Sequence, residues 1–490
     1  MKKALVILLA LAVVGGLFAQ DAPTFTIQGR VDGWWTPFQA VTRDVPKRVW
    51  DPGTSAWIDD PSGATESVTL LGAGLGRDAN NGNGVRGRIF IEGRTDIVGL
   101  KLQLQFYPFI QGNNYNPGND GIGNTPQYIG FDDNVMVWWK PIPEIELDVG
   151  KFVNDPLRGK IGNNWMKAYT VSAYDEDEIF SRFRSQGFGT SASNIGVLGL
   201  FKFGDLTAGI LFPQLDPFTS AQASGAGGGK GATYETVVYN SGANEFVHVY
   251  ERTQIGVGYN IQDIGLARVQ FIGANKGFTI PSTVIGQIAA NTPRIELAFQ
   301  LTAVQGLTLD IGGKIPFPVV AKDIKGWTRW EDDPATLTSS AKYEWKAGSG
   351  DAKVQNPYQV SLGARFQLDA LDISGRVDGK FGGSAEKLNA VLDKVYKFGP
   401  ELNVHLWPGY NLGFAKAYLD IGLGWVGESK YDGEVIKKSD GFRVGFGAYL
   451  EKPIGACTIR GGLAYRVASE FAGVKEDGVF SIPVMFDYTF

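Results

Sequence analysis

Alternation of apolar and polar residues with a period of two constrains this chain more than any other feature. The last eleven residues, FSIPVMFDYTF, show it without a break. Phe480, Ile482, Val484, Phe486, Tyr488 and Phe490 fall on one side, and Ser481, Pro483, Met485, Asp487 and Thr489 on the other. Successive side chains of a β-strand point to opposite faces, so the pattern specifies a strand with one apolar and one polar face. A strand that runs to the final residue needs something to hold it, because chain ends otherwise fray.

The pattern recurs as hairpins. In GRIFIEGRTDIVGLKLQLQF, Gly87, Ile89, Ile91 and Gly93 share one parity, and Arg86, Arg88, Glu92 and Arg94 the other. After a break at Thr95-Asp96 it resumes with Val98, Leu100, Leu102, Leu104 and Phe106, while Lys101, Gln103 and Gln105 face the other way. Similar units turn in the proline stretch before Ile145, near Gly204, at Gln262-Asp263, near Gln305-Gly306, near Ala370, at Pro408-Gly409 and near Pro453. Long polar, glycine-rich segments separate them: 36–84, 108–132, 153–186, 213–245, 274–293, 315–357, 383–398, 427–440 and 467–479. With a first strand from Phe25 to Gly33 and the terminal one, the count is about 18, between 16 and 18, each of about 9–11 residues, enough to cross a bilayer when tilted.

Every second connection is short and every other one is long. A soluble sandwich has no reason to sort its connections by side, whereas a membrane barrel has short turns at one rim and long loops at the other. Lipid supplies no hydrogen-bond partner, so such a sheet must close and leave no edge. The expected fold is all-β: a single closed antiparallel transmembrane β-barrel with short periplasmic turns and long external loops. In it the last strand pairs with the first, which would hold the terminus.

Residues 1–19 read as a secretory signal, with Lys2 and Lys3 before the apolar stretch Ala4 to Phe18 and a cut between Ala19 and Gln20. Residues 20–490 are then the barrel. The single cysteine excludes an internal disulfide, and two histidines exclude a histidine-rich metal centre. No cofactor is expected. The formal net charge of −5, more negative once the two leader lysines are removed, argues against a nucleic-acid partner.

At this point the chain resembles the outer-membrane porins of Gram-negative-type bacteria. The terminal Phe490, with Tyr488 and Phe486 on its face, looks like the signal by which such barrels are recognised for outer-membrane assembly. The resemblance implies residence in outer-membrane lipid, the barrel assembly machinery as a partner during biogenesis, passage of small hydrophilic solutes, and a homotrimer. In porins the third long loop folds inward to narrow the channel; here that loop is 153–186.

A charge on the lipid face costs roughly 2–4 kcal/mol at mid-membrane for Arg or Lys, so strand charges should point inward. The inward parity carries Arg30, Arg86, Arg88, Arg94, Arg365, Arg376 and Arg460, with Glu146, Asp148, Asp378, Lys380 and Arg466 among others. Side chains cannot fill a barrel this wide, so the lining should be wet. Arg30, Arg88 and Arg460 belong to strands that become near neighbours on closure. They would form a basic strip facing the acidic run Asp175, Glu176, Asp177 and Glu178 of segment 153–186. The resulting transverse field would order dipolar solutes and exclude apolar ones. The same arginines could instead pair with neighbouring Asp and Glu and stiffen the wall. Trp138 and Trp139 beside one turn, Trp407 beside another, and Trp34, Trp35 and Trp425 at opposite strand ends suit two interfacial belts.

Other motifs carry little. GNGVRG (Gly82 to Gly87) has dinucleotide-fingerprint spacing but precedes a strand rather than joining strand to helix. Asp78, Asn80 and Gly82 suggest a calcium loop, but no acid stands at its closing position. His248 and His405 lie far apart, and no nucleophile-plus-base set accompanies them, so the chain does not read as an enzyme. Cys457 shares parity with Ile459 and Leu463, which places it toward lipid. The sequence reads as a passive channel for small hydrophilic solutes. A barrel displaying its long loops as an adhesin or receptor is the alternative, and a soluble secreted β-protein the third reading.

Overall fold

The computed structural model describes residues 24–75, 85–109, 128–152, 194–213, 253–273, 278–279, 289–290, 293–329, 343–387, 396–431, 434–437, 442–471 and 474–490. Residues 1–19, expected to be a secretory signal, and the segment 153–186 with its acidic run lie outside them. Among the described residues every regular element is a β-strand.

Eighteen strands form one antiparallel ring. They are β1 Thr24–Pro46, β2 in two segments (Thr65–Leu75 and Val85–Arg94), β3 Val98–Phe109, β4 Tyr128–Ile142, β5 Ile145–Phe152 and β6 Asn194–Phe203. Next come β7 Leu206–Pro213, β8 Gln254–Ile261, β9 Gly265–Ile272, β10 Arg294–Leu301, β11 Leu307–Pro316 and β12 Tyr358–Leu368. The ring finishes with β13 Leu371–Phe381, β14 Glu401–Asn411, β15 Lys416–Val426, β16 Phe442–Ile454, β17 Cys457–Arg466 and β18 Gly478–Thr489. Each strand pairs with its chain neighbours, and β18 returns to β1 from Arg30↔Thr489 to Thr42↔Gly478. The last residue takes part. The Gly29 amide donates to the Phe490 carbonyl at 2.7 Å, and the Phe490 amide donates to the Gly29 carbonyl at 2.9 Å. The terminus is therefore held by the ladder that closes the ring.

Period-two sequence becomes sidedness. Along β15, Tyr418, Asp420 and Gly422 are buried while Leu419 and Ile421 are exposed; along β16, Gly445, Gly447 and Tyr449 are buried while Phe446 and Leu450 are exposed. Around the ring many large apolar side chains are exposed, among them Ile27, Val269, Ile311, Leu362 and Leu463. The fully covered ones include Asp148, Gln270, Glu296, Asp310 and Arg466. A water-soluble protein has the opposite arrangement. An apolar belt on the outer face of a closed sheet is what hydrocarbon demands, and the barrel spans a membrane. Cys457 lies on this outer face, opposite Tyr488.

Connections of two to five residues alternate with long ones, and Thr24 and Phe490 both lie at the short-turn rim. At the other rim the long connections continue as β-structure. Val319–Arg329, Tyr343–Gln355, Ser384–Lys387, Tyr396–Lys397, Ser429–Tyr431 and Glu434–Lys437 form a six-stranded sheet. Small hairpins lie at Arg48–Asp51 with Ala56–Asp59 and at Ser469–Phe471 with Val474–Glu476.

Three local expectations are corrected. The first strand does not end at Gly33 but runs to Pro46. The β1–β18 pairing steps from Trp35↔Val484 to Phe38↔Ile482, so Thr36 and Pro37 both stand opposite Pro483. This bulge sits where two prolines lack ladder donors, and its extra residue exchanges the faces of β1 beyond it. Inward positions are even at Arg30 and Asp32 but odd at Gln39, which is buried, while Phe38 joins the outer face edge-on to Phe480. Pro483 is thus a mid-strand residue of β18. Second, Pro408-Gly409 is not a turn: both lie within β14, and the chain turns at 412–415. Third, Trp407 belongs to no belt. It is buried on the inner face against the His405 ring, with centroids 3.7 Å apart.

Candidate functional site

The inner face is where polar chemistry collects, and register decides which charges meet. At the seam, Arg30 stands directly opposite Arg88, and Asp32 directly opposite Asp487. Like charges opposed across strands repel. Diagonal pairs resolve both clashes: Arg30 Nε donates to Asp487 Oδ1 at 2.8 Å, and Arg88 Nη2 donates to Asp32 Oδ1 at 2.9 Å. The four groups form a checkerboard that ties β18, β1 and β2 together. Beneath Arg88 lies the Phe90 ring, 5.9 Å from the guanidinium carbon.

The pattern continues along the wall. Arg460 hydrogen-bonds its direct partner Glu451. Arg365 grips Asp372 with two bonds, 3.1 and 2.9 Å, and Lys416 Nζ donates to the same carboxylate at 2.7 Å. Lys416 stands on β15 and Asp372 on β13, so the ammonium reaches across β14. It can do so because the position between them is Gly409. A Cβ there would lie 2.9 Å from Tyr418 and 3.2 Å from the Lys416 side chain. Higher on the wall, Arg376 Nε donates to Asp378 at 2.7 Å, and the Ser361 hydroxyl bonds the same carboxylate. Lys380 donates to Glu401 at 2.7 Å. Arg94 lies 3.9 Å from Glu92 and is exposed. Arg86 is placed by its backbone alone, opposite Asp32.

The wall is not uniform. On β5 and β9–β11, Asp148, Gln270 and Asp310 are 0% exposed and Glu296 1%. Beside them an apolar cluster of Met136, Leu198, Leu200 and Leu211, with Trp138 against it, also occupies the inner face. On the opposite arc the side chains of Arg365 and Arg30 remain about one-third exposed, at 37% and 36%, and Lys380 and Lys416 about one-quarter. In a ring of this size opposite walls stand too far apart to cover each other.

No known protein family matches the chain, and no curated protein matches it in sequence. Solved structures do resemble it in architecture. Pseudomonas aeruginosa OpdK with vanillate is 11% identical, with 96% of this chain and 100% of that one covered at a TM-score of 0.44. Acinetobacter baumannii OccAB1 is 10% identical over 96% and 98%, also at 0.44. Pseudomonas putida OprB at high pH is 12% identical over 96% and 94%, at 0.39. At these values the likenesses carry no argument about solute or activity, and the barrel rests on its own strand pairing.

Of the expected lining residues, Arg30, Arg88, Arg365, Arg376 and Arg460 occupy the inner face, each bonded to a carboxylate. The bare basic strip is therefore replaced by an alternating one. Phe486, Tyr488 and Phe490 lie on the outer face of β18, the last two rings stacked at 5.5 Å. Sequence reasoning missed the inner cluster around His405, which hydrogen-bonds Asp420 on β15 and lies opposite Arg376 on β13. A lone histidine at strand parity, with an acid at matching parity on the next strand, was its only signal.

Proposed function

We propose that the protein is an outer-membrane channel through which small hydrophilic solutes diffuse. The observation that carries this reading is the inverted burial: charged and amide side chains inside a closed ring, apolar ones outside. Rings of about 16–18 strands are wide enough to leave an aqueous passage. On this reading residues 1–19 direct export, and the outward aromatic face of Phe486, Tyr488 and Phe490 is read by the assembly machinery.

Segment 153–186 narrows the passage on the same reading. What supports it is the acidic run Asp175 to Glu178 within that segment, which suits an inner wall bearing Arg30, Arg88 and Arg460. The passage on this reading runs past the inner-wall charges that stay partly open, Arg30, Arg365, Lys380 and Lys416, each paired with a carboxylate. Such a wall offers donors and acceptors in turn, which suits dipolar solutes more than bare ions of one sign. The test is reconstitution in planar bilayers and in solute-loaded vesicles. Stepwise conductance and swelling with small sugars or amino acids are expected; insertion without ion flow would instead favour a barrel that only displays its loops.

A further inference from the structure

The first long connection ends in an exposed aromatic constellation that the channel does not use. The β1–β2 ladder runs to Pro46↔Thr65, and the hairpin of Arg48–Asp51 and Ala56–Asp59 stands directly on it. The Lys47 amide donates to the Ala64 carbonyl at 2.9 Å, and the Asp60 amide to the Lys47 carbonyl at 2.7 Å, so the wall continues into the hairpin. This tip lies beyond Thr42, the last β1 residue that pairs with β18. Its register sets Trp50 opposite Trp57 and Arg48 opposite Asp59. Residues two apart on a strand share a face, so all four side chains lie together. The indole rings meet edge-on, centroids 5.8 Å apart at 70°. They stay 51% and 57% exposed. Arg48 Nε is 3.8 Å from Asp59 Oδ1, and its Nη2 donates to the Trp57 carbonyl.

A cross-strand aromatic pair steadies a hairpin by about 0.5–1.5 kcal/mol, which accounts for the ring contact. It does not account for the open indole surface or for the charged pair beside it. We propose that this face binds a neutral saccharide. A pyranose presents a flat face of C–H groups that stacks on an indole, edged by hydroxyls that both donate and accept. Arg48 supplies only donors and Asp59 only acceptors, so together they serve such an edge. Their charges cancel, which disfavours a polyanion or a polycation. Four-residue strands span about 13 Å, the length of two or three sugar rings. A face of two such strands is too small to supply the roughly 800 Å² per partner that a stable protein interface buries.

The test uses the full-length protein in nanodiscs on an array of immobilised neutral oligosaccharides. Free oligosaccharide and vesicles carrying a neutral glycolipid, compared with plain phospholipid vesicles, compete for the site and separate soluble from membrane-borne sugar. At least one neutral glycan series should be held, with affinity falling about tenfold in Trp50→Ala and in Trp57→Ala. Arg48→Ala should lower it several-fold while leaving the exciton-coupled circular dichroism of the Trp50–Trp57 pair intact, which separates lost contact from a lost hairpin. Channel conductance should not change. The proposal is overturned if no neutral glycan is held at millimolar concentration, or if Arg48→Ala binds as the parent does. It is equally overturned if plain phospholipid competes as well as glycolipid, which would make the hairpin a lipid anchor.

Discussion

Closure through the last residue can be tested with a double-mutant cycle between Gly29 and Phe490. A Cβ on Gly29 would lie 2.2–2.7 Å from three atoms of the Phe490 ring, so Gly29→Ala forces the ring away while leaving the two backbone bonds possible. Overpacking of this kind costs about 1–3 kcal/mol. In a Phe490→Ala background the obstacle is gone. There Gly29→Ala should be neutral or stabilising by about 0.4–1 kcal/mol, because alanine restricts the unfolded chain at a position of ordinary extended backbone. The sign of the Gly29→Ala effect should therefore reverse between backgrounds, with a coupling of about 1–3 kcal/mol. Urea unfolding from detergent micelles, followed by the shift between compact and unfolded bands on unheated gels, measures all four corners. Equal Gly29→Ala effects with and without the Phe490 ring would refute the ring-over-glycine account of the seam.

Three further outcomes are expected. Replacing Arg30, Arg88 and Arg460 together by Gln releases Asp487, Asp32 and Glu451 from their arginines, so ion selectivity should move strongly toward cations; an unchanged reversal potential in a salt gradient would contradict the assignment of these groups to the passage. Spin labels stepped through residues 98–104 of β3 should alternate between oxygen and water access, and a uniform profile would contradict the sidedness. In the small hairpin, hydrogen bonds from the Thr54 hydroxyl and the Gly53 amide hold the Asp51 carboxyl below its usual 3.8. A depressed folded value contributes order that is present above 3.8 and lost as pH falls through the lowered value. The Trp50–Trp57 exciton signal should thus persist at pH 5 and decline only in stronger acid; loss between pH 5 and 7 would show that another group governs it.

The barrel was legible because sidedness is written locally. Val98 to Phe106 announce a strand without reference to its partners, and the terminal strand does the same. What was illegible depends on register. That Arg30 meets Asp487 follows only from how the ends are brought together, since the two are 457 residues apart. Pro408-Gly409 reads as a turn by its letters, yet the glycine is there to let Lys416 pass across β14. The Trp34 to Pro37 stretch reads as the end of a strand because a bulge exchanges the faces of β1, and period-two reasoning has no means of following a strand through an added residue. Trp407 was misplaced for a related reason: nearness to a turn locates a ring along the strand but does not say which way it points.

The divided second strand carries a practical consequence. Gly33 faces Val85 and Trp35 faces Leu75, so the two pieces of β2 follow the same track on β1, with nine residues of sequence between them where a continuous strand would have one. An ordinary strand punishes even a single additional residue by turning its oily side inward. At this junction both pieces keep their faces, so the number of residues that join them is uncoupled from the architecture. It is a ready splice point, where a reporter peptide can be grafted or the join shortened while the staves on either side keep their alignment.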